Sequence, residues 1–490
     1  MRLPQLQHRY TTVQRVVGLL LMAFSSTMLP PIVVDGLYRE GVALAFLWGF
    51  LITLAFGALL WFPVHRHRRE LKIREGFLVV VLFWTVLSLF AAIPLYIALT
   101  PRLNVAQAVF EAVSGLTTTG ATVITGLDSL PHAVLYYRQQ MQWLGGMGII
   151  VLAVAILPLL GVGGMQIYRA EVPGPIKDNK LTPRIKETAR VLWQIYLTLT
   201  IACGVAYYLA GMTPFDAVGH AFSTVATGGF STHDRSIGFY ESQMIELICV
   251  AFMIASSINF GLHFAMLRQK HPLAYWRDAE FRTFIAILGA GVALITVVLW
   301  MFGTYGSGLQ ALRQALFQVV SIGTTAGFTT ADYNAWPSLL APLLLFGSFA
   351  GGCAASTTGG IKVVRIALLF KQGIREVVRM IHPNAELPIK IGHRKVPDRV
   401  VQAVWGFFSV YMGFYLIIFF LMMAAGLDVV TAFSAVAATL NNLGPGLGDV
   451  ASNFGVVPDF GLWVGIFAML LGRLEIFPLL VLLTPYFWRR

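Results

Sequence analysis

Ten apolar runs, at about 16–34, 42–62, 77–99, 140–161, 191–211, 244–267, 283–303, 338–370, 401–425 and 460–486, take up most of the chain. A helix of roughly 20 apolar residues crosses the hydrocarbon core of a bilayer. In hydrocarbon every backbone polar group must be satisfied inside the protein, so such runs fold as helices packed side by side. Little of the 490 residues is left for an independent soluble domain. Only 12% of the residues are charged and 57% are hydrophobic, where an ordinary soluble domain carries about 25% charged residues. A soluble enzyme is excluded. The expected fold class is an all-α polytopic membrane protein of about ten transmembrane helices.

The basic residues orient it. Of the 35 Lys and Arg, 29 lie before residue 16 or within 64–76, 166–190, 268–282, 362–399 and 489–490, all on one side of a ten-span chain. Cytoplasmic loops carry the excess of Lys and Arg, so both termini are expected in the cytoplasm. The first run follows a basic start (Arg2, Arg9, Arg15), is long for a signal-peptide core and lacks a small-residue cleavage site. It reads as a retained first span. The net charge of +12 is scattered between the apolar runs, so no nucleic-acid partner is expected. Asp128, Asp234, Asp332, Asp449 and Asp459 fall on the other side, where they either attract cations or are ordinary solvated loop charges. Cys203, Cys249 and Cys353 each sit in an apolar stretch without metal or disulfide spacing and read as small buried fillers.

Four segments between these runs are too short and too rich in Gly, Thr and Asn to span, and they form a repeat. They align on Gly120, Gly229, Gly327 and Gly444, spaced 109, 98 and 117 residues apart. Twelve residues before each glycine stands an alanine (Ala108, Ala217, Ala315, Ala432), six before stand Ser114, Ser223, Ser321 and Ala438, and two before stand Thr118, Thr227, Thr325 and Asn442. The stretch before each glycine allows about three helical turns, roughly 16 Å, which enters a membrane without crossing it. The return must then be extended backbone, tolerated at membrane depth only where protein or a water-filled path satisfies it. Four such returns around one axis would line a pore with carbonyl oxygens that replace an ion's hydration shell. A single Gly/Thr cluster is explained by close helix packing; four in register are not.

The segments TTTGAT, QWLGGMGI, ATGGFST, TTAGF, GGCAASTTGG, NNLGPGLG and GRLEIFP, in this order over essentially the whole chain, resemble the Trk/Ktr/HKT superfamily of cation transporters, and within it the bacterial Trk-type potassium uptake membrane subunits. The resemblance implies four membrane/pore-loop/membrane units around a central pore, preceded by two extra helices. The corresponding divisions are 1–76 for the N-terminal pair, 77–180, 181–280 and 281–390 for the first three units, the third holding an intramembrane gate loop, and 391–490 for the fourth. It further implies a K⁺ selectivity filter at Thr118, Thr119 and Gly120, at Thr227, Gly228 and Gly229, at Thr325, Ala326 and Gly327, and at Asn442, Leu443 and Gly444. All four family glycines are present, whereas some plant HKT members carry Ser at the first and prefer Na⁺.

The eighth run is about 33 residues long and holds Gly347, Gly351, Gly352, Gly359 and Gly360 with Ser356, Thr357 and Thr358. A straight helix is not expected there, since each Gly costs up to about 1 kcal/mol relative to Ala. Two half-helices joined by a loop are. In the family the similar segment obstructs the pore and moves on gating, which assigns Gly351, Gly352, Ser356, Thr357, Thr358, Gly359 and Gly360 to a gate. Arg473, alone in the apolar last run, is a costly intramembrane charge; the resemblance sets it beside the pore below the filter, in the gate, where it opposes cation passage, and pairing with a carboxylate of another helix is the alternative. Glu475, two residues on, does not share its helix face. Lys362 and Arg365 are expected to snorkel to the cytoplasmic interface. Glu111, Asp216 and Asp428 are read at or near the starts of the short helices, where they complement the dipoles in preference to attracting cations. His220, His233 and His263 show no metal-ligand spacing, and no catalytic motif is evident.

The expected function is K⁺ uptake across the bacterial inner membrane, channel-like and driven by the membrane potential. K⁺ symport with H⁺ or Na⁺ is the alternative in the same family, and a polytopic membrane enzyme or receptor is the alternative outside it. The resemblance also implies a homodimer and a separate cytosolic ring of nucleotide-binding regulator-of-conductance (RCK) domains of the TrkA type. No cofactor is expected in this chain.

Overall fold

The computed structural model describes residues 10–66, 73–151, 185–269, 273–392 and 394–488. The first helices are α1 (Thr11–Ser25), α2 (Leu29–Tyr38), α3 (Ala43–Trp61), α4 (Ile73–Ala98), α5 (Val105–Leu116) and α6 (His132–Val151). The middle of the chain forms α7 (Ile185–Leu209), α8 (Pro214–Val225), α9 (Gln243–Ser257), α10 (Phe260–Gln269), α11 (Ala274–Arg277), α12 (Ala279–Met301) and α13 (Gly308–Gly323). Then come α14 (Leu340–Ala350), α15 (Val363–Ile381), α16 (Asp398–Ala424), α17 (Val429–Leu440), α18 (Asp459–Arg473), α19 (Phe477–Leu483) and α20 (Pro485–Trp488). Among the described residues the strands are one antiparallel pair, β1 (Lys390–Ile391) and β2 (Arg394–Lys395), with Lys390 opposite Lys395.

Among the described residues six stretches are long and apolar enough to cross a bilayer: Thr11–Tyr38, Ala43–Val64, Arg74–Ala98, Arg190–Leu209, Ala279–Met301 and Asp398–Ala424. Their outward side chains, such as Leu44, Trp48 and Leu59 on α3 and Leu416, Ile417 and Phe420 on α16, are exposed, as suits a lipid solvent. The sixth and tenth runs of the sequence differ from the straight spans expected of them. Helices α9 and α10 meet at 92°, and α18 and α19 at 114°. The first bend follows from Ile258 and Asn259 leaving the helix, with the Asn259 side chain accepting from Gly261 N at 2.8 Å. The second follows from Glu475 and Ile476, whose φ values of 51° and 63° cannot continue a helix. The eighth run is two helices, α14 and α15, joined by a loop with positive φ at Gly351, Ala355, Gly360 and Lys362. The fourth run begins in α6, and its remainder lies outside the described residues.

The four short helices α5, α8, α13 and α17 have 12, 12, 16 and 12 residues, or about 18 to 24 Å at 1.5 Å per residue. Each starts at a residue whose side chain accepts a backbone N–H that the helix itself leaves unpaired. Asn104 accepts from Gln107, Thr213 from Asp216, Ser307 from Gln310 and Asp428 from Thr431. Gln107 returns the bond to Asn104 N at 3.0 Å, completing a capping box.

Packing repeats too. Each long helix packs on the short helix that follows it: α4 on α5, α7 on α8, α12 on α13 and α16 on α17. Each short helix then packs on the next: α5 on α6, α8 on α9, α13 on α14 and α17 on α18. Between units, α6 touches α8, α9 touches α13, α14 touches α17 and α18 touches α5. The last contact closes the ring. The pair α1 and α3 lies outside it, crossing closely at Gly18 and Gly57 as small residues allow.

Candidate functional site

All four short helices end in the same way. In the first, Thr118 N donates to Gly115 O at 3.0 Å and Thr119 N to Ser114 O at 2.9 Å. The equivalent pairs are Thr227 to Thr224 and Gly228 to Ser223, Thr325 to Ile322 and Ala326 to Ser321, and Asn442 to Thr439 and Leu443 to Ala438. These are Schellman terminations, which need a left-handed residue usually supplied by Gly. Here it is Thr118, Thr227, Thr325 or Asn442, with φ of 51°, 51°, 56° and 53°. The residue two before each glycine is therefore the helix stop, and the residue six before supplies the carbonyl that receives the longer bond.

The four glycines that follow also have positive φ, 82° at Gly120, 79° at Gly229, 78° at Gly327 and 102° at Gly444. Space forbids a side chain as firmly as the backbone does. A Cβ on Gly120 would lie 2.0 Å from Gly228 O, one on Gly229 2.1 Å from Ala326 O, one on Gly327 2.2 Å from Leu443 O, and one on Gly444 2.7 Å from Thr119 O. Each glycine thus receives the carbonyl preceding the glycine of the next unit, and the fourth returns to the first. The ring lines one cavity of about 590 Å³ together with His233, Asp234, Arg235 and Asp332.

The ring is braced by α6. Gly145 in this helix lies so close to the end of α5 that a Cβ there would be 1.9 Å from Leu116 O. From this position Gln142 Nε2 donates to Gly228 O at 2.6 Å, and Gln142 Oε1 accepts from Phe230 N at 3.1 Å. Gln139 Nε2 donates to Phe230 O and Arg138 Nη1 to Ser231 O, and the Arg138 guanidinium lies 4.2 Å from the Phe230 ring centre. Arg138 also pairs with Glu111 at 2.7 Å, both fully buried, while Glu111 accepts from Val123 N. Glu111 therefore lies deep in α5 and holds the returning strand, instead of complementing the helix start. Asp428 is the cap of α17, and Asp216 in the first turn of α8 accepts from Thr213 and Thr232. No role is expected from the sequence for Arg138, Gln139 or Gln142, the last only opening the segment QWLGGMGI; three strongly polar residues within an apolar helix are the signal for one.

The loop between α14 and α15 lies against the opposite edge of the ring, at the helix stops. Gly359 N donates to Thr325 Oγ1 at 2.7 Å, Thr227 Oγ1 to Thr357 Oγ1 at 3.1 Å, and Gly360 N to Asn441 O at 3.0 Å. Arg473 Nη2 donates to Thr118 Oγ1 and to Thr357 O. Asn442 Nδ2 instead reaches Thr119 Oγ1 and Met469 O. The loop folds on itself: Gly352 N donates to Thr358 Oγ1, Ser356 Oγ to Cys353 O, and a Cβ on Gly351 would strike Gly359 O. The twelve ring residues and the eight loop and arginine residues expected from the sequence so form one continuous cluster.

Two further charges depart from expectation. Lys362 and Arg365 are 7% and 2% exposed and do not snorkel. Lys362 Nζ donates to Thr358 O and Thr358 Oγ1, and Arg365 pairs with Glu475 at 2.7 Å beside the Phe407 ring. The Glu475 backbone turns out of α18 at positive φ, which carries its carboxylate to α15. The histidines are hydrogen-bonded within the protein: His220 with Ser231 and Asp216 O, and His263 with Tyr275 and Ala255 O.

Comparison with known proteins agrees with the fold. Residues 43–489 match the family model TrkH, described as a cation transport protein. The chain is 58% identical over 483 residues to the Trk system potassium uptake protein TrkH of Vibrio parahaemolyticus, covering 98% of this chain and 100% of that one. It is 55% identical over 480 residues to TrkH of Escherichia coli K12, covering 98% and 99%. The crystal structure of the potassium transporter TrkH from Vibrio parahaemolyticus superimposes with a TM-score of 0.91 at 55% identity, over 98% of this chain and 100% of that chain. The overall fold is thus shared with that crystal structure over nearly its whole length, and the chain belongs to the TrkH family of multi-pass cation transport proteins.

Proposed function

We propose that this chain carries K⁺ into the bacterial cell across the inner membrane, through the four-glycine ring acting as selectivity filter. The carrying observation is the closed ring in which each glycine receives the carbonyl of the next unit. Carbonyl dipoles held at fixed separations around one axis can replace the hydration shell of a cation. Asp234 and Asp332 at the cavity raise the local cation concentration, and the membrane potential favours inward movement by about 2.3 kcal/mol per 100 mV. Residues 351–360 and Arg473 are the gate, a reading supported by their bonds to the helix stops. Both termini are cytoplasmic, in keeping with the distribution of Lys and Arg. The chain acts as a homodimer with a cytosolic nucleotide-binding RCK partner. Helix α15 supports this, for it exposes Phe370, Ile374, Val377 and Ile381 along one stripe, at the spacing of a helix-packing face. The reading is of a transporter and not of an enzyme.

The test is ion flux into proteoliposomes holding the full-length protein, with K⁺ and Na⁺ gradients set separately. Uptake that follows the K⁺ gradient and the imposed potential alone is the expected result. K⁺ uptake that requires a Na⁺ or H⁺ gradient would replace the channel-like mechanism by symport, and no cation flux would overturn the proposal.

A further inference from the structure

The ring is fourfold in its backbone but not in its support. Within the unit that contributes Gly229, the residue before the ring glycine is itself a glycine, whereas the other units place Thr119, Ala326 and Leu443 there. A Gly–Gly peptide has the least steric restraint on its orientation. This is the peptide that Gln142 grips. The amide bonds Gly228 O at 2.6 Å and Phe230 N at 3.1 Å, bracketing Gly229 as a neighbouring strand would. Only one orientation of the amide satisfies both bonds, since its nitrogen donates and its oxygen accepts. The missing side chain of Gly228 makes room, because a Cβ there would lie 2.4 Å from Gln142 Cδ. Among the described residues the corresponding carbonyls of Thr119, Ala326 and Leu443 receive no side-chain hydrogen bond.

The gripped oxygen has a second contact. Gly228 O is the atom that fills the space beside Gly120, and Gln142 belongs to the same unit as Gly120. One unit thus presents both the glycine that receives this carbonyl and the amide that aims it. We infer that Gln142 is a positioning residue for ion discrimination: it holds the one ring peptide that its own sequence leaves free to reorient. This rests on the reading of the ring as a filter. Discrimination depends on the number and field strength of the carbonyl dipoles, so a Gly228 carbonyl released from the amide weakens it even where the helices still pack.

The experiment measures K⁺, Na⁺ and Rb⁺ flux in proteoliposomes of full-length Gln142→Met and Gln142→Glu, with Gly229→Ser alongside. Met keeps the length and removes both bonds; Glu keeps the acceptor for Phe230 N and removes the donor to Gly228 O. Both should lower the K⁺/Na⁺ flux ratio about fivefold, the effect of losing the bond to Gly228 O that both variants lack, taken at ordinary strength. Should one variant fail to insert, the other, alike in length but different in charge, is read in its place. Gln142→Ala should also lose selectivity, and adding Gly228→Ala should recover it, because the new methyl restrains the peptide in the space the amide vacated. A merely structural glutamine would change protein yield and leave the ratio of the inserted protein unaltered. An unchanged ratio in folded Gln142 variants, with a changed ratio in Gly229→Ser, overturns the inference and leaves the filter reading standing. No change in any variant overturns both.

Discussion

Arg473 Nη2 donates to the carbonyl oxygen of Thr357 at 3.2 Å, and the same nitrogen donates to the hydroxyl of Thr118. A single buried charge therefore joins the middle of the α14–α15 loop to the stop of the first short helix. Arg473→Ala removes this tie along with the positive charge, and deletion of several residues between 351 and 359 removes the loop. Each should raise K⁺ flux in the absence of a cytosolic regulator by about tenfold, equivalent to ~1.4 kcal/mol off the barrier to conduction. Combined, they should be less than additive. Well-assembled single variants with unchanged flux would remove both from the gate.

The ring glycines should differ in tolerance. The Cβ clearance rises from 2.0 Å at Gly120 to 2.7 Å at Gly444, while positive φ burdens both. Gly120→Ser should therefore cost more K⁺/Na⁺ selectivity than Gly444→Ser, with both proteins still inserted. Flux ratios in the reverse order would show that contact with the neighbouring carbonyl does not set the effect.

Glu111 and Arg138 form an ion pair at 2.7 Å with side chains 0% and 1% exposed. Arg138→Met strands a buried carboxylate, which costs about 3 to 5 kcal/mol. Adding Glu111→Gln should recover much of that loss, because the remaining group is neutral and can still accept from Val123 N. Melting temperatures in detergent decide it; a double variant less stable than Arg138→Met would contradict the account.

His233 links two loop segments, with Nδ1 2.5 Å from Asp128 and Nε2 3.7 Å from Asp216, and its ring stacked on Phe239. Burial pushes its pKa down, but the hydrogen bond with Asp128 and the negative charges of Asp216 and Asp128 outweigh this and raise it above the ordinary 6.5. Asp128 moves the other way: partial burial raises it, and the bond and charge of His233 with Asp234 N bring it below 3.8. The His233 contribution is complete below pH 6.5 and is lost as pH rises through the elevated folded value; the Asp128 contribution is present above pH 3.8 and lost as pH falls through the depressed one. Hydrogen exchange around Leu127 and Asp234 should thus accelerate on the alkaline side beyond its intrinsic increase. His233→Asn should abolish that excess, and an identical pH profile in the variant would exclude His233 as its source.

Orientation is open to labelling, since Cys203, Cys249 and Cys353 are buried and contribute little background. A cysteine at Arg379 should react from the cytoplasmic side, and one at Asp234 or Asp449 from outside, all three being exposed positions. External labelling at Arg379 would invert the topology.

The amino-acid sequence alone determined the class of fold, the fourfold repeat and the place of the four glycines on which it aligns. These are local or periodic properties. An apolar run of sufficient length selects a helix in lipid, and four glycines in register with a hydroxyl or amide two residues earlier report one backbone trajectory used four times. The break in the eighth run was legible for the same reason, because Gly351, Gly352, Gly359 and Gly360 act on their own backbone.

What only the tertiary structure decided is which distant groups meet. Arg473 reaches Thr118 across 355 residues and Thr357 across 116, Arg365 finds Glu475 across 110, and Gln142 reaches Gly228 across 86. Glu111 reads as a helix-start charge by position and is an ion-pair partner by packing. Lys362 and Arg365 look free to snorkel until the bend after α18 brings Glu475 to α15. A charge or amide in an apolar run says that a partner must exist, because leaving it unpaired in a low-dielectric interior is costly. It does not say which one, since that depends on how four similar units close around an axis.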